Sequence, residues 1–355
     1  MVDRLRTWLR SGGRTIQRHS AVALNLALCS VAALAVFLNR PGEYIPDFRF
    51  EVTWAPGQTA GRIMSLWQTA GGLGGVAGTD RNPLTTFVFG IGRALGAEPW
   101  LAQRLWHLLL LCIAGTGVVR LLRFYRPRVG ALHAVAGFAY MFSPTGLGQL
   151  LPSSIFGVYC IAPWMLSALV GGTTGRTPWR WAAVFGLGIV LVAPVEMPAT
   201  IYLVGFLGMF AIVLVHVSRI TTWRAVIGWT LKAGTLATLC MSFALARTLS
   251  GGGSLERRLF ITELPEDIAG TTSWSEVFRG KGHWLSYFRA GLTYPRPNFV
   301  DWFENPVVVA ATMLVPLVAL GTLLIKRSRP LRPFLLVGFA SLVLATGLHP
   351  VDDPG

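Results

Sequence analysis

Acidic side chains are scarce in this chain: Asp and Glu together number 16, against 31 Lys and Arg, and charged residues make up 13% of the sequence. A soluble domain carries about 25% charged residues, and hydrophobic residues here reach 53%. The composition therefore excludes an ordinary soluble domain and predicts a single membrane domain over residues 1–355. The net charge of +15 does not indicate a nucleic-acid partner, because many basic residues lie in short loops between apolar runs.

Cysteine motifs and common catalytic signatures are missing as well. The four cysteines lie in apolar runs without CxxC spacing, so neither a disulfide framework nor a metal site is predicted. The chain has no HExxH, GxSxG or protein-kinase motif set. The glycine run at residues 71–75 lacks the GK[ST] ending of a phosphate loop, and no repeat period indicates a solenoid.

Nine apolar runs predict membrane-spanning helices, since a bilayer crossing requires about 20 apolar residues. The predicted spans are residues 20–38, 101–119, 130–148, 155–171, 181–195, 198–217, 226–246, 306–325 and 333–348. They leave two large external regions, residues 39–100 and 247–304. The predicted fold is an all-α integral membrane bundle.

The distribution of charge agrees with nine spans. Arginine clusters precede the first span and follow alternate later spans, at residues 4–18, 120–128, 176–180, 219–224 and 326–332. Every cluster then faces the cytoplasm, and every acidic residue except Asp3 faces outwards. This positive-inside pattern predicts a plasma-membrane protein with a cytoplasmic N-terminus. A cleaved signal peptide is the alternative, but the first apolar run, about 18 residues, is longer than a usual signal core.

Residues 84–97 form a short apolar segment that contains Arg93. Counting it as a full span would turn the 120–128 cluster outwards, so we predict a re-entrant or interfacial helix in the first external loop. Just before it, Ile63, Leu66 and Trp67 would share one helical face. This pattern predicts a helix on the membrane surface or packed on the bundle.

Asp47 and Glu51 form a carboxylate pair soon after the first span, within Pro46-Asp-Phe-Arg-Phe-Glu51. Both would share a face on a helix or on a strand, whereas Arg49 would lie between them only on a strand. Partial desolvation at a membrane surface raises the pKa of a carboxylate, which suits a general base. The alternatives are an ordinary solvated loop acid and a divalent-cation site completed by water.

The second external region supplies cations interleaved with aromatic side chains. The cations are Arg257, Arg258, Arg279, Lys281, Arg289 and Arg296, and the aromatics are Trp274, Trp284, Tyr287, Tyr294 and Trp302. Arginine binds phosphate oxygens in a bidentate way, and aromatic faces suit sugar rings and membrane interfaces. An anionic lipid-linked sugar would fit both features; an aromatic belt with a charged rim is the alternative.

Four stretches, in this order and spacing, resemble a known family. They are residues 46–51 (PDFRFE), 100–106 (WLAQRLW) leading into 116–120 (TGVVR), 138–144 (FAYMFSP) and 302–307 (WFENPV). The chain resembles the GT-C glycosyltransferases and, more narrowly, the N-terminal membrane region of the actinobacterial α-(1→3)-arabinofuranosyltransferases. The resemblance covers most of the chain.

The resemblance implies a GT-C-like bundle that transfers arabinofuranose from a decaprenyl-phosphate donor to cell-wall arabinan on the external face, with inversion. Asp47 would deprotonate the acceptor hydroxyl, and Glu51 would assist it. Cations would hold the departing phosphate. The residues expected to bind the donor and its phosphate are Arg49, Arg279, Lys281, His283 and Arg289.

The chain departs from the family pattern in its carboxylate motif, which is approximately Asp-x-Lys-x-Asp. Arg49 replaces the lysine, and Glu51 replaces the second aspartate, moving that carboxylate by about 1 Å. Family members are several times longer, so we expect a chain truncated relative to them and missing C-terminal modules. A non-catalytic GT-C-like scaffold or lipid-sugar-binding protein is therefore the alternative function.

A transporter or flippase is a third hypothesis. It is disfavoured because charged residues within the spans are few, and Arg104 and Lys232 lie near span ends. The predicted partners are the donor, the arabinan acceptor and membrane lipids, without nucleic acid. The basic cytoplasmic face would meet anionic lipids, with an acidic cytosolic partner as the alternative.

Overall fold

The structure is a computed structural model of the 355-residue chain. It describes residues 2–38, 40–43, 52, 54–64, 67–68, 75–76, 83–148, 153–175, 177–192, 197–250, 273–280, 304–325 and 332–346.

Helices dominate the described part of the chain. In chain order the elements are α1 (Val2–Phe37), α2 (Pro56–Met64), β1 (Trp67–Gln68), β2 (Gly75–Val76), α3 (Pro83–Ala94), α4 (Pro99–Tyr125), α5 (Ala131–Met141), α6 (Pro144–Gly148), α7 (Ser153–Thr174), α8 (Pro178–Val192), α9 (Met197–His216), α10 (Trp223–Ser250), α11 (Trp274–Phe278), α12 (Pro306–Ile325) and α13 (Arg332–Thr346).

The predicted spans fall on these helices, and most boundaries agree within a few residues. By length and composition, three described segments are apolar enough to cross a membrane: His19–Phe37, Pro99–Tyr125 and Phe156–Thr174. Shorter apolar helices accompany them, at Ala131–Met141, Pro178–Val192, Leu203–His216, Pro306–Thr322 and Pro333–Ala345. The helical membrane character is as predicted, whereas the number of nine crossings and the orientation stay predictions.

Helix α4 organises the packing, because it contacts α1, α5 and α7. His107 of α4 meets Phe156 of α7 edge-on, with ring centroids 6.1 Å apart. Six residues further along α4, the Ile113 carbonyl accepts a hydrogen bond from the Trp164 indole N–H at 3.0 Å. The order of these contacts shows that α4 and α7 run in the same direction, so their N-terminal ends lie at one end of the bundle.

A proline divides the predicted span 130–148 into α5 and α6. Pro144 has no backbone N–H and disfavours helical geometry at the preceding residue, so α5 ends at Met141 and α6 begins at Pro144. The prediction of one continuous span here is wrong. The break leaves a polar turn, residues 142–146, beside the start of α7.

The short apolar segment in the first loop forms α3. Its 12 residues rise about 18 Å, less than the ~30 Å of a hydrocarbon core, so α3 cannot cross a membrane alone. Gly96, at φ 82°, ends it in a Schellman arrangement, in which the Ala97 N–H donates to the Gly92 carbonyl at 2.9 Å. Phe89 packs against Trp106 of α4, with ring centroids 6.4 Å apart. Re-entry from outside stays a prediction.

The predicted surface helix through Trp67 is shorter than expected. α2 ends at Met64, and Trp67 pairs with Val76 in the two-residue antiparallel ladder of β1 and β2. The shared helical face of Ile63 and Trp67 is therefore wrong, and the described part of the chain is not purely helical.

Replacing Gly172 with alanine should destabilise the bundle. A Cβ at residue 172 would overlap the indole of Trp229, which is buried in α10. We expect the free energy of unfolding to fall by about 1–3 kcal/mol. The measurement is the unfolding temperature of the detergent-solubilised chain, which should fall. The control is Gly208→Ala in α9, where a Cβ meets no atom within 4 Å; equal losses in the two variants would contradict this packing.

Candidate functional site

Arg104, in the second turn of α4, attaches the start of the first long loop to the bundle. Its side chain is buried, and its Nη2 donates to the carbonyl oxygens of Arg40 and Glu43, the second at 3.1 Å. The guanidinium also lies over the Trp100 ring, 5.0 Å from the centroid. A planar guanidinium carries five donors in fixed directions, so it can hold two carbonyls and an aromatic face together. We name this arrangement the Arg104 clamp.

Tyr140 and Tyr159 form a stacked pair that supports the turn after α5. Their ring centroids lie 4.4 Å apart with an interplanar angle of 5°. The Tyr140 hydroxyl donates to the Tyr159 carbonyl at 2.8 Å, and the Tyr159 hydroxyl donates to the Tyr140 carbonyl. This reciprocal pair joins the end of α5 to the start of α7.

A chain of hydrogen bonds extends from this pair into the turn. Because the Tyr159 proton is given to the Tyr140 carbonyl, Ser143 Oγ acts as donor to the Tyr159 hydroxyl, at 2.8 Å. Ser143 Oγ in turn accepts from the Gly146 N–H at 3.0 Å. Hydrogen bonds linked in series polarise and strengthen one another. Residues 143–146 are thus held in one conformation.

The turn at residues 143–146 contacts the second long loop, residues 247–304. Thr145 Oγ1 donates to the carbonyl of Gly280, which lies 135 residues later in the sequence. Gly280 has φ 74°, and a Cβ there would come within 2.7 Å of Thr145 Oγ1, so both backbone geometry and space require glycine. The short helix α11 leads into this contact, capped by Ser273, whose side chain accepts from the Glu276 N–H at 3.4 Å.

Arg279 attaches the same segment to α12. Its side chain is 5% exposed, and its Nη1 lies 2.9 Å from Glu276 Oε1. Its Nε donates to Thr312 Oγ1 at 3.1 Å. Thr312 is about 9 Å along α12 from Pro306, so the ion pair lies beside an apolar helix rather than in the open loop. Arg279 therefore has an observed positioning role, and its contact with a donor phosphate stays a prediction.

One of the predicted site residues lies within the described part of the chain. Arg279 is described, whereas the other predicted site residues lie outside the described residues: Asp47, Arg49, Glu51, Lys281, His283 and Arg289. In the described part of the chain, no group of three or more His, Cys, Asp or Glu could hold a metal ion. A divalent cation at Asp47 and Glu51 therefore stays a prediction.

Sequence reasoning did not assign Arg104, Tyr140, Ser143 or Thr145 to the site. Two of the four stretches used for the family resemblance carry three of these residues: residues 100–106 contain Arg104, and residues 138–144 contain Tyr140 and Ser143. Polar residues embedded in apolar stretches were the available indication. The contact of Thr145 with Gly280 had no local indication.

Comparison with known proteins identifies the family. The family model described as alpha-(1->3)-arabinofuranosyltransferase, N-terminal GT-C domain, matches residues 31–351. The chain belongs to this family. The matched range of the GT-C domain includes the Arg104 clamp, the Tyr140–Tyr159 pair and Arg279.

Curated relatives carry the name alpha-(1->3)-arabinofuranosyltransferase. The one from Mycobacterium tuberculosis is 30% identical over 280 residues, which cover 76% of this chain and 19% of that protein. The one from Mycolicibacterium smegmatis is 26% identical over 331 residues, covering 90% of this chain and 22% of that protein. This GT-C domain thus spans about a fifth of the length of these relatives.

Solved structures support the same fold. A cryo-EM structure of the arabinofuranosyltransferase AftD from Mycobacteria aligns with a TM-score of 0.61 at 22% identity, over 93% of this chain and 24% of that chain. A structure of a variant of that protein aligns with a TM-score of 0.57 at 22% identity, over 91% of this chain and 27% of that chain. The bundle is therefore a GT-C membrane fold.

Replacing Arg279 with glutamine should loosen the attachment of the second loop. The variant leaves the Glu276 carboxylate, which is 20% exposed, without this guanidinium. We expect the free energy of unfolding to fall by about 3 kcal/mol. Thermal unfolding in detergent measures it. The double variant Arg279→Gln/Glu276→Gln should recover part of the loss, and Arg93→Gln, at an exposed arginine of α3, is the control. Equal losses in the single and double variants would show that the ion pair does not carry the attachment.

Proposed function

We propose that this GT-C domain transfers arabinofuranose from a decaprenyl-phosphate donor to cell-wall arabinan on the external face, with inversion. The observation that carries the proposal is the attachment of two loops to the bundle. The Arg104 clamp holds one, and the Thr145–Gly280 contact holds the other. The predicted carboxylates belong to the first loop and the predicted phosphate-binding cations to the second. The identity of the proposed sugar, arabinofuranose, is taken from the names of the curated relatives.

The first loop is proposed to supply the general base. Asp47 lies four positions after Glu43, which the clamp holds, and each position adds at most about 3.5 Å. Asp47 is therefore tethered within about 14 Å of a fixed carbonyl. In the proposed reaction, Asp47 takes the proton of an arabinan hydroxyl. Glu51 acts as the second carboxylate or orients Arg49, which contacts the donor.

The second loop is proposed to stabilise the leaving group. Lys281 follows Gly280 directly, His283 lies two residues further on, and Arg289 follows in the same loop. The acceptor oxygen attacks the anomeric carbon opposite the phosphate. The bond from that carbon to the phosphate oxygen breaks, and decaprenyl phosphate leaves with the bonding electrons. These cations, with Arg279, would balance the developing negative charge.

The change Asp47→Asn tests the base assignment. An amide cannot accept the proton, so the transfer rate should fall by about 10²–10⁴-fold. The measurement is transfer of radiolabelled arabinofuranose from the decaprenyl-phosphate donor to a synthetic arabinan acceptor. The assay uses membranes prepared from cells that express the chain. Asp80→Asn is the matched control, at another acid of the same loop, and should retain the full rate.

Two outcomes would contradict the proposal. Normal transfer by Asp47→Asn would exclude Asp47 as the base. No transfer by the unchanged chain, with folding confirmed by its unfolding transition, would exclude transfer by this chain alone. The non-catalytic scaffold would then be favoured.

The change Arg104→Lys tests whether the clamp positions the base. A lysine ammonium is a point charge without a planar fork, so it cannot hold the Arg40 and Glu43 carbonyls while stacking on Trp100. Misplacement of a catalytic group by about 1 Å can cost about 100-fold in rate. We therefore expect kcat to fall by up to about 100-fold, with an unchanged KM for the donor. Arg93→Lys is the control, and a fall in unfolding temperature without a change in kcat would exclude the positioning role.

A further inference from the structure

Arg120 lies at the opposite end of α4 from the Arg104 clamp. The two arginines lie sixteen positions apart, about 24 Å along the helix, and no Asp, Glu, Lys or Arg occurs between them. This length approaches the ~30 Å hydrocarbon thickness of a bilayer. Arg104 and Arg120 therefore mark two levels close to the two membrane surfaces.

Two aromatic rings hold the guanidinium of Arg120. Its Cζ lies 4.9 Å from the centroid of Trp181 in α8 and 5.2 Å from the centroid of Phe124 in α4. Trp181 is itself buried. Cation–π contacts of this kind fix the plane of a guanidinium without consuming its N–H donors. Arg120 is thus oriented at the junction of α4 and α8.

Two further arginines converge on this point. Arg123, half-buried, lies three positions after Arg120 on the same face of α4, and Arg180, exposed in the first turn of α8, directly precedes Trp181, whose ring the Arg120 guanidinium covers. We name the three residues the Arg120 cluster. No Asp or Glu occurs in the sequence between Glu98 and Glu196, so α4, α5, α7 and α8 contain no carboxylate that could neutralise the cluster. Helix α10, which packs on α8, contains none either.

Three like charges at the edge of an apolar bundle repel one another and favour a bound anion. Guanidinium groups match phosphate oxygens in a bidentate way. Next to the cluster, α8 presents apolar side chains to its surroundings: Trp179 is 56% exposed and Leu187 is 68% exposed. These two residues lie eight positions apart, on one face of the helix. A phosphate group with an attached acyl chain would satisfy both features.

We propose that Arg120, Arg123 and Arg180 bind the phosphate of an anionic phospholipid, with its acyl chain along the exposed face of α8 at Trp179 and Leu187. The site lies at the other end of the bundle from the Arg104 clamp, and it does not depend on the proposed arabinose transfer. Its ligand is a structural lipid of the membrane surface rather than a substrate.

The test is native mass spectrometry of the full chain in detergent, titrated with dioleoyl phosphatidylglycerol. Dioleoyl phosphatidylcholine, whose headgroup is neutral overall, is the comparison lipid. Each cation near an anionic headgroup contributes about fivefold in affinity. Arg180→Gln should therefore weaken phosphatidylglycerol binding about fivefold, and Arg123→Gln/Arg180→Gln about thirtyfold. Binding of phosphatidylcholine should stay unchanged.

The matched control is Arg224→Gln, because Arg224 is also exposed and also lies in the first turn of its helix, α10. It should change the affinity by less than about twofold. Equal weakening by Arg180→Gln and Arg224→Gln would reveal diffuse attraction to the whole basic surface and overturn the site. Displacement of the lipid by equimolar inorganic phosphate would assign the cluster to free phosphate. Displacement by a poly-glutamate peptide would assign it to an acidic polypeptide, and either result would also overturn the proposal.

Discussion

Polar groups inside an apolar bundle must find their hydrogen-bond partners within the protein, because lipid offers none. Several polar side chains of the described helices satisfy this constraint within their own helix. Thr116 returns its hydroxyl to the Cys112 carbonyl at 2.6 Å, and Ser167 does the same to the carbonyl of Pro163, a proline inside α7, at 2.8 Å. His133 uses both ring nitrogens, towards the Gly130 N–H and the Arg126 carbonyl. The observed contacts of these three side chains are structural.

Loop residues also supply hydrogen-bond partners to polar side chains of the helices. Arg104 takes its acceptors from the backbone of the first loop, and Thr145 and Thr312 bind the backbone and side chain of the second. The loops are thereby fixed where they approach the helices, although their sequences are polar. At the other end, Arg120 has aromatic rings and like charges as neighbours. One end of the bundle therefore carries loops held by hydrogen bonds, whereas the other carries arginines beside aromatic rings.

Periodicity and charge predicted the helices well because both follow from local composition. The predicted span 306–325 coincides with α12, and the predicted spans of α4 and α9 fall within a few residues of the described bounds. The break at Pro144 was missed because the apolar run continues through it. Trp67 was wrongly assigned to a helix. The amphipathic pattern covered only seven residues, and so short a pattern cannot distinguish a helix from a strand.

The site was less predictable, for a different physical reason. The contact of Thr145 with Gly280 joins residues 135 positions apart, and no local pattern encodes such a pair. Arg279 was selected as a phosphate-binding residue, and that role stays a prediction; its observed contacts with Glu276 and Thr312 depend on tertiary packing. The spacing of Ser273 and Glu276, a helix-capping signature, could have predicted α11. The function was predicted from the family resemblance. The match over residues 31–351 confirms the family.

Donor binding at the end of the bundle that holds the Arg104 clamp is what the proposed transfer requires. Photo-crosslinking tests it most directly, with a decaprenyl-phosphate analogue that carries a diazirine next to the phosphate, followed by peptide mapping of the labelled full chain. We expect labels in residues 40–51 and 279–289, suppressed by excess unlabelled decaprenyl phosphate. Specific labelling confined to residues 120–128 and 177–181, at the other end of the bundle, would contradict it.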